Sequence, residues 1–244
     1  MNFIKKLYYK KYSKTSYSLS NVDLIINRIF SKINKGIYVD VGCNHPIKYN
    51  NTYLLHKRGW SGINIDLDSK SIDLFNKLRK KDVNVKQLVT SIDGEEKNIY
   101  FYHDRSAINT ISKDLAESRE KKAKEIKKVR GLTINSIIEN SEFKNSKINL
   151  LSIDIENYEF EALKNFNFKK YNIDLIVTEI TDIKQKNLET FNQSLDYILN
   201  SEIYKLLINN NYKLINWVNA DLVFFNKNSS ITSLSWHEIL IICF

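Results

Sequence analysis

The chain has 244 residues and a mass of 28.7 kDa, 43% of them apolar and 27% charged, which is enough apolar material for the core of one large domain. Six glycines and a single proline exclude collagen-like and Pro-rich material. Two cysteines 200 positions apart, Cys43 and Cys243, exclude a disulfide framework and a cysteine-built zinc site, and a reducing, cytoplasmic compartment is expected.

The formal charge of +9 is unevenly spread. Residues 1–35 hold eight Lys/Arg against one Asp, whereas residues 36–244 hold 29 basic against 27 acidic. The body is nearly neutral, and Ile, Asn and Tyr are abundant alongside Lys. The basic excess therefore reads as compositional drift and a solvated arm rather than a polyanion-binding face, and nucleic acid is not the expected partner. No stretch approaches the roughly 20 apolar residues of a membrane helix. Phe3, Ile4, Leu7 and Tyr8 share one helical face against Lys5, Lys6, Lys10 and Lys11. That face suits either weak peripheral membrane contact through residues 1–20 or ordinary docking on the domain. The tail 239–244 is apolar but too short to span a membrane, and is expected to pack on the domain or on a second copy in a homo-oligomer. The division is an arm over 1–35, a domain over 36–228 and a tail over 229–244.

In chain order, residues 37–41 read as a buried strand ending at Gly42. A short helix follows near 51–58, capped by Asn50 or Asn51 and stopped by Gly59. Residues 61–66 are a second strand, and Ser69 caps a helix that buries Ile72, Phe75 and Leu78. Strands follow at 83–89 and 98–102. Residues 113–130 are almost purely charged, with Glu117–Lys121 and Glu120–Lys124 at helical spacing, and predict an exposed helix: a solvated face, or a lid over an acceptor. Then come a helix near 134–140, a strand at 148–153 ending in Asp154, a helix at 157–166, a strand at 173–178 ending in Glu179, and helices near 188–199 and 201–209. Finally, strands 212–218 and 221–226 are separated only by Asn219 and Ala220, a turn that joins antiparallel strands.

Alternating strands and helices make a parallel sheet with right-handed crossovers. The predicted fold is α/β, a doubly wound, mostly parallel seven-stranded sheet with a C-terminal antiparallel hairpin. That plan resembles the class I S-adenosylmethionine (SAM) methyltransferases, which are Rossmann-like.

Tyr38-Val-Asp-Val-Gly-Cys-Asn-His-Pro46 puts an acid and a glycine turn at a strand end, and Asp66 ends the next strand 26 positions after Asp40. This is a nucleotide-binding layout, with Asp66, or alternatively Asp68, placed to accept ribose hydroxyls. A dinucleotide site needs three glycines for close approach to a pyrophosphate. Here Gly42 is alone, which favours phosphate-free SAM over NAD. Two further strands deliver Asp154 and Glu179 at their C-terminal ends, where a buried carboxylate is costly without a partner. Glu156 and Glu159 follow in Asp154-Ile-Glu-Asn-Tyr-Glu159, and Glu159 reads as a helix N-terminal acid favoured by the macrodipole.

These blocks, together with Asn51-Thr-Tyr, Arg58-Gly-Trp-Ser-Gly-Ile-Asn-Ile-Asp66 and Ala107-Ile-Asn-Thr-Ile-Ser112, resemble the FkbM family of SAM-dependent methyltransferases from about Gly36 to Asn226. The resemblance implies O-methylation of a sugar-containing acceptor (a glycan, a nucleotide sugar or a glycosylated metabolite). It also implies that Asp40, Gly42, Asn44 and Asp66 hold SAM, with Ser91 or Ile92 near the adenine. The family places Gly after the second acid of its Asp-x-Glu motif, where this chain has Asn157. Because a sugar hydroxyl is a poor nucleophile, a base or a metal must act on its proton. Asp154 and Glu179 are the candidates, either as catalytic carboxylates or as hard ligands of a divalent cation such as Mg²⁺. His45 is a competing base or a loop hydrogen-bonder, and His56, His103 and His237 are read as structural. Two rivals stay open: an RNA ribose methyltransferase and a non-catalytic SAM-fold binding protein. Base amino-methylation is excluded, since its Pro-Pro motif cannot exist in a chain whose only proline is Pro46.

Overall fold

The computed structural model describes residues 13–102, 116–117, 122–180 and 195–231. The expectations for the apolar face at 3–8, the tail 239–244, Cys243, His103, His237 and the block 107–112 lie outside the described residues.

Helix α1 (Val22–Ile29) leads into strand β1 (Ile37–Val41), helix α2 (Tyr53–Lys57), strand β2 (Ser61–Asp66), helix α3 (Ser69–Leu78) and strand β3 (Val83–Lys86). Two short-range strands, β4 (Leu88–Val89) and β5 (Glu96–Phe101), precede β6 (Glu125–Leu132) and helix α4 (Ile134–Glu139). The chain continues through β7 (Leu150–Ile153), α5 (Glu159–Leu163), α6 (Phe168–Tyr171), β8 (Leu175–Glu179), α7 (Leu195–Asn200), α8 (Glu202–Asn209), β9 (Tyr212–Val218) and β10 (Asp221–Asn226).

The main sheet has seven strands in the order β3-β2-β1-β7-β8-β10-β9. It is parallel from β3 to β8, and β10 runs antiparallel to both β8 and β9. The predicted α/β class and its reversed hairpin are therefore both present. Strand order reverses between β1 and β7, and in open α/β sheets that crevice at the carboxyl ends is where ligands bind.

Strand alternation divides the core. Val39, Val41, Ile63, Ile65, Leu151, Ile153 and Ile176 face a layer built from α4, α5 and α8. Tyr38, Leu150, Leu175 and Val177 face Val22, Ile26, Phe30, Leu55 and Trp60 on the other side. Residues 22–30, assigned by sequence to the basic arm, are thus part of the domain core: Val22, Ile26 and Phe30 have no exposed surface. Among the described residues no helix is long and apolar enough to cross a membrane.

Three local readings need correction. The described part of the charged run at 113–130 is not an extended helix. Residues 125–132 are β6, which pairs antiparallel with β5 and parallel with β4 in a second, three-stranded sheet. There the charges pair across strands, as Lys128 and Arg130 do with Glu96; Ala116 and Glu117 are helical, and residues 118–121, which complete the pairs Glu117–Lys121 and Glu120–Lys124, lie outside the described residues. Secondly, residues 83–89 divide between the two sheets at Lys86 and Leu88. Thirdly, α3 is capped by Asp68, whose carboxylate accepts from the amides of Lys70 and Ser71 at 2.8 and 3.0 Å; Ser69 is its first residue, and Leu78 is exposed. Asp68→Ala is expected to lower unfolding free energy by about 1 kcal/mol, whereas Ser69→Ala leaves it within about 0.5 kcal/mol; urea denaturation of both variants checks this.

Candidate functional site

The C-terminal edge of the sheet gathers the turn after Val41, Asp66 at the end of β2, Asp154 after β7, Glu179 at the end of β8, and Asp221 at the start of the antiparallel β10. Gly42 makes the first turn. Its φ is +79°, and a Cβ there would lie 1.8 Å from the carbonyl oxygen of Asp154, so only glycine lets the β1 turn pass against the end of β7. The amides of Gly42 and Cys43 both donate to the Ile65 carbonyl, at 2.9 and 3.2 Å. Asp66 receives the Asn44 amide on one oxygen and the Asp68 amide on the other, each at 2.8 Å. Burial raises its carboxyl to about 6 despite those bonds.

Asp40 alternates onto the face of Tyr38, beneath the loop. It accepts from Thr52 Oγ1 at 2.7 Å and Asn50 Nδ2 at 3.0 Å. Burial pushes its carboxyl up, and the nearby Arg79 charge and these hydrogen bonds pull it back. Asp40 thus holds the loop from below, while Gly42, Asn44 and Asp66 come together above it. His45 uses Nδ1 to accept from the amides of Ile47 and Lys48, both at 3.0 Å. An accepting ring nitrogen carries no proton, so the proton of the neutral ring sits on Nε2 and no second lone pair remains. His45 is a loop hydrogen-bonder, the second of its two readings. Ser91 lies in the connection after β4: its hydroxyl donates to Glu95 at 3.3 Å, and its carbonyl accepts from Asn165. Ile92 beside it is 61% exposed.

The second half of the site is acidic. Oxygens of Asp154, Glu159 and Glu179 lie within 4.8 Å of one another. Asp154 keeps an exposed surface at the sheet edge. Desolvation by the protein packed around its carboxyl, and then the charges of Glu179 and Glu156, raise it above the usual range. Glu179 is raised by burial and by Glu159 and Glu156. Asp154 and Glu179 are thus near enough to repel each other when both are ionised, and each makes the other harder to deprotonate.

Glu159 is both a helix N-terminal acid and a member of this cluster. It accepts from the Ile155 amide at 2.7 Å and is pushed to about 8, mainly by burial. The departure at Asn157 is accommodated, since Asn157 adopts φ +69° and Glu156 +58°, a left-handed pair that Asn tolerates better than most residues.

Sequence reasoning missed several participants. Arg79, Asn50 and Thr52 form the support under the loop. Asn51 Nδ2 donates to Ser152 Oγ at 3.2 Å, tying the loop to β7. Asp221, opposite Glu179 in the ladder, is raised to about 6 by burial and accepts from Ser20 Oγ. Tyr17 supplies a carbonyl to the Asn50 amide at 3.0 Å. Segment 17–20 therefore walls the edge, a role for which neither composition nor periodicity carries a signal. Asp221 was legible as a third acid at the sheet edge once the hairpin was read.

All these acids are raised, so the folded state holds protons that the unfolded chain releases above about pH 4. Their contribution to stability is complete below that point and is lost as pH rises through about 6 for Asp66 and Asp221 and about 8 for Glu159. Between pH 5 and pH 8.5 the melting temperature is expected to fall on the order of 5–10 °C. Glu159→Gln, which keeps an acceptor for the Ile155 amide, flattens the descent. Differential scanning calorimetry across that range is the check.

No curated protein matches the chain. Comparison with known protein families matches residues 40–214 to the Methyltransferase FkbM domain. The match covers most of the chain and includes Gly42, Asn44, Asp66, Asp154, Glu159 and Glu179. With its seven-stranded sheet and reversed hairpin, the protein belongs to the FkbM methyltransferase domain family.

Proposed function

We propose that the protein is a SAM-dependent O-methyltransferase acting on a hydroxyl of a sugar-containing acceptor: a glycan, a nucleotide sugar or a glycosylated metabolite. The observation that carries this reading is the contact between two unlike half-sites. One is a glycine turn beside an isolated ribose-type acid, Asp66. The other is a cluster of proton-retaining carboxyls, and the carbonyl of Asp154 lies against Gly42.

The residues fit SAM: Gly42 makes the tight turn at the end of β1, Asn44 and Asp66 offer backbone and carboxylate groups beside it, and the turn carries no phosphate-cradling glycine series. SAM supplies a methyl group already activated as a sulfonium. The protein then has to align the acceptor oxygen, exclude water and take a proton. Asp66 orients the ribose hydroxyls. Of Asp154 and Glu179, whichever carboxyl is ionised accepts the acceptor's hydroxyl proton, and burial keeps that carboxylate basic near neutral pH. His45, with Nδ1 engaged, holds the loop. Asp154, Glu159 and Glu179 form an all-oxygen donor set that fits a hard divalent cation such as Mg²⁺. Bound there, it would acidify and orient the acceptor hydroxyl.

Titration with S-adenosylhomocysteine in a calorimeter tests the reading. Binding is expected at a micromolar-order Kd, about −8 kcal/mol, and Asp66→Ala should weaken it at least tenfold, or about 1.4 kcal/mol. Folded wild-type protein that binds no S-adenosylhomocysteine would overturn the enzyme reading in favour of a binding module. Methylation of RNA in preference to glycans or nucleotide sugars would move the acceptor to an RNA ribose. In the metal-free enzyme, kcat/KM should climb with pH and level off once the carboxyl pair ionises. Glu179→Gln should lower kcat by about 10²–10⁴-fold. Loss of all activity in EDTA, restored by Mg²⁺, would assign the carboxylates to metal binding instead.

A further inference from the structure

Arg79 has no exposed surface, yet it carries a full charge into the face of the sheet beneath the Gly42 loop. It ends α3, where its backbone amide caps onto Phe75 O at 2.7 Å. Its guanidinium lies among the rings of Phe75, Tyr53 and Tyr38, with centroids at 5.0, 5.5 and 5.9 Å. Nε and Nη2 both donate to the carbonyl of Pro46, at 3.0 and 2.6 Å. Nη2 also reaches Asn50 Oδ1 at 2.7 Å, and Nη1 reaches Thr52 Oγ1 at 2.8 Å and Tyr38 Oη at 3.2 Å.

The balancing acids stand one residue away. Asp40 is reached through Thr52 and Asn50. Asp82 is reached through Tyr38, whose hydroxyl donates to it at 2.5 Å, and through Asn64, whose Nδ2 donates to it at 3.0 Å. A buried guanidinium persists only where its fork of donors is matched, and here most of the fork is matched by one loop, with Tyr38 of β1 and Asn64 of β2 taking the rest of Nη1. Pro46 is in the middle of residues 43–52, and Asn50 and Thr52 are at its end. Asn50 Nδ2 in turn holds the Cys43 carbonyl at 3.2 Å.

We propose that Arg79 is a positioning residue for the cofactor: its planar fork holds residues 43–52 in the shape that brings the Asn44 amide to Asp66 and fixes the His45 ring. The proposal rests on the SAM-binding reading of that turn. Arg79 touches neither Gly42, Asn44 nor Asp66 directly, so it acts through the loop. Stability alone does not call for this arrangement, because well-packed apolar residues can replace a buried ionic network without loss. What the fork adds is a single geometry for a loop with few regular backbone bonds of its own. Lysine keeps the charge but offers one point where three loop groups need a plane of donors.

The test is Arg79→Lys, with hydrogen–deuterium exchange at residues 43–52, S-adenosylhomocysteine titration and steady-state kinetics measured on one preparation. Exchange in the loop is expected to rise at least tenfold while β1, β7 and β8 stay protected. The S-adenosylhomocysteine Kd and the KM for SAM should rise at least tenfold, with kcat changed less than threefold. Guanidinium ion at millimolar concentration should restore affinity to Arg79→Ala but not to Asp66→Ala. If Arg79→Lys fails to fold, Asn50→Ala and Thr52→Val each remove one arm of the clamp and should show the same split in milder form. A folded Arg79→Lys with unchanged loop exchange and unchanged affinity overturns the proposal, as does loss in kcat alone. If wild-type protein binds no S-adenosylhomocysteine, the SAM reading fails by itself, and loop exchange still decides whether Arg79 is the clamp.

Discussion

The site depends on one close approach. Where β1 ends, the chain must turn within contact distance of the backbone leaving β7, and the Asp154 amide donates to the Val41 carbonyl at 3.0 Å. A residue with any side chain at position 42 would collide with the Asp154 carbonyl, and a residue preferring negative φ would not make the turn. This contact joins two chemistries that strand order alone would only set side by side. The β1–β2 half offers a turn and a ribose-type acid, and the β7–β8 half offers carboxyls that retain protons. The sheet's reversal between β1 and β7 opens the crevice, and Gly42 sets its width.

Charge burial is the cost of this arrangement, and it is offset differently on the two sides. Under the loop, Arg79 is balanced by Asp40 and Asp82 through intervening hydroxyl, amide and phenol groups, so each charged group keeps its hydrogen bonds. In the acidic cluster, burial and mutual repulsion raise the carboxyls of Asp154, Glu159 and Glu179, so they hold protons to higher pH than ordinary acids do. The first solution is rigid. The second is titratable, because its protons leave as pH rises through the raised values. A charge-balanced network and a proton-holding one therefore sit on opposite sides of the same turn.

The fold was legible in sequence wherever periodicity and turn chemistry agreed. The apolar runs at 37–41, 61–66, 150–153 and 175–179 are strands buried on both faces, and the two-residue turn at Asn219 identified the reversed hairpin. The charged segment before Gly131 was misread because alternating Lys and Glu match a helical i,i+4 pattern and a cross-strand ladder equally well. Only the partner strand β5 decides between them, and partners are not written in local spacing. In the site, the strand-end acids Asp66, Asp154 and Glu179 were found because an acid closing an apolar run is costly unless used. Arg79 escaped the same logic. It follows an amphipathic helix in a Lys-rich stretch, Arg79-Lys-Lys-Asp82, where a buried arginine looks identical to its solvated neighbours.

His45 illustrates why geometry must precede residue type in assigning a base. Its place in the loop beside Gly42 made it a natural candidate, and an imidazole near neutral pH needs no environmental shift to work. Yet two consecutive amides, from Ile47 and Lys48, converge on Nδ1, and protonating that nitrogen would set three donors against one another. With Nδ1 engaged by both amides, the ring serves the loop as a hydrogen-bond acceptor. In the reaction proposed above, proton uptake from the acceptor hydroxyl falls instead to the neighbouring carboxyls of Asp154 and Glu179 across the crevice. Those two groups are suited to it mainly by burial, which raises both carboxyls, and by their mutual repulsion, which makes the second of them to ionise the stronger base.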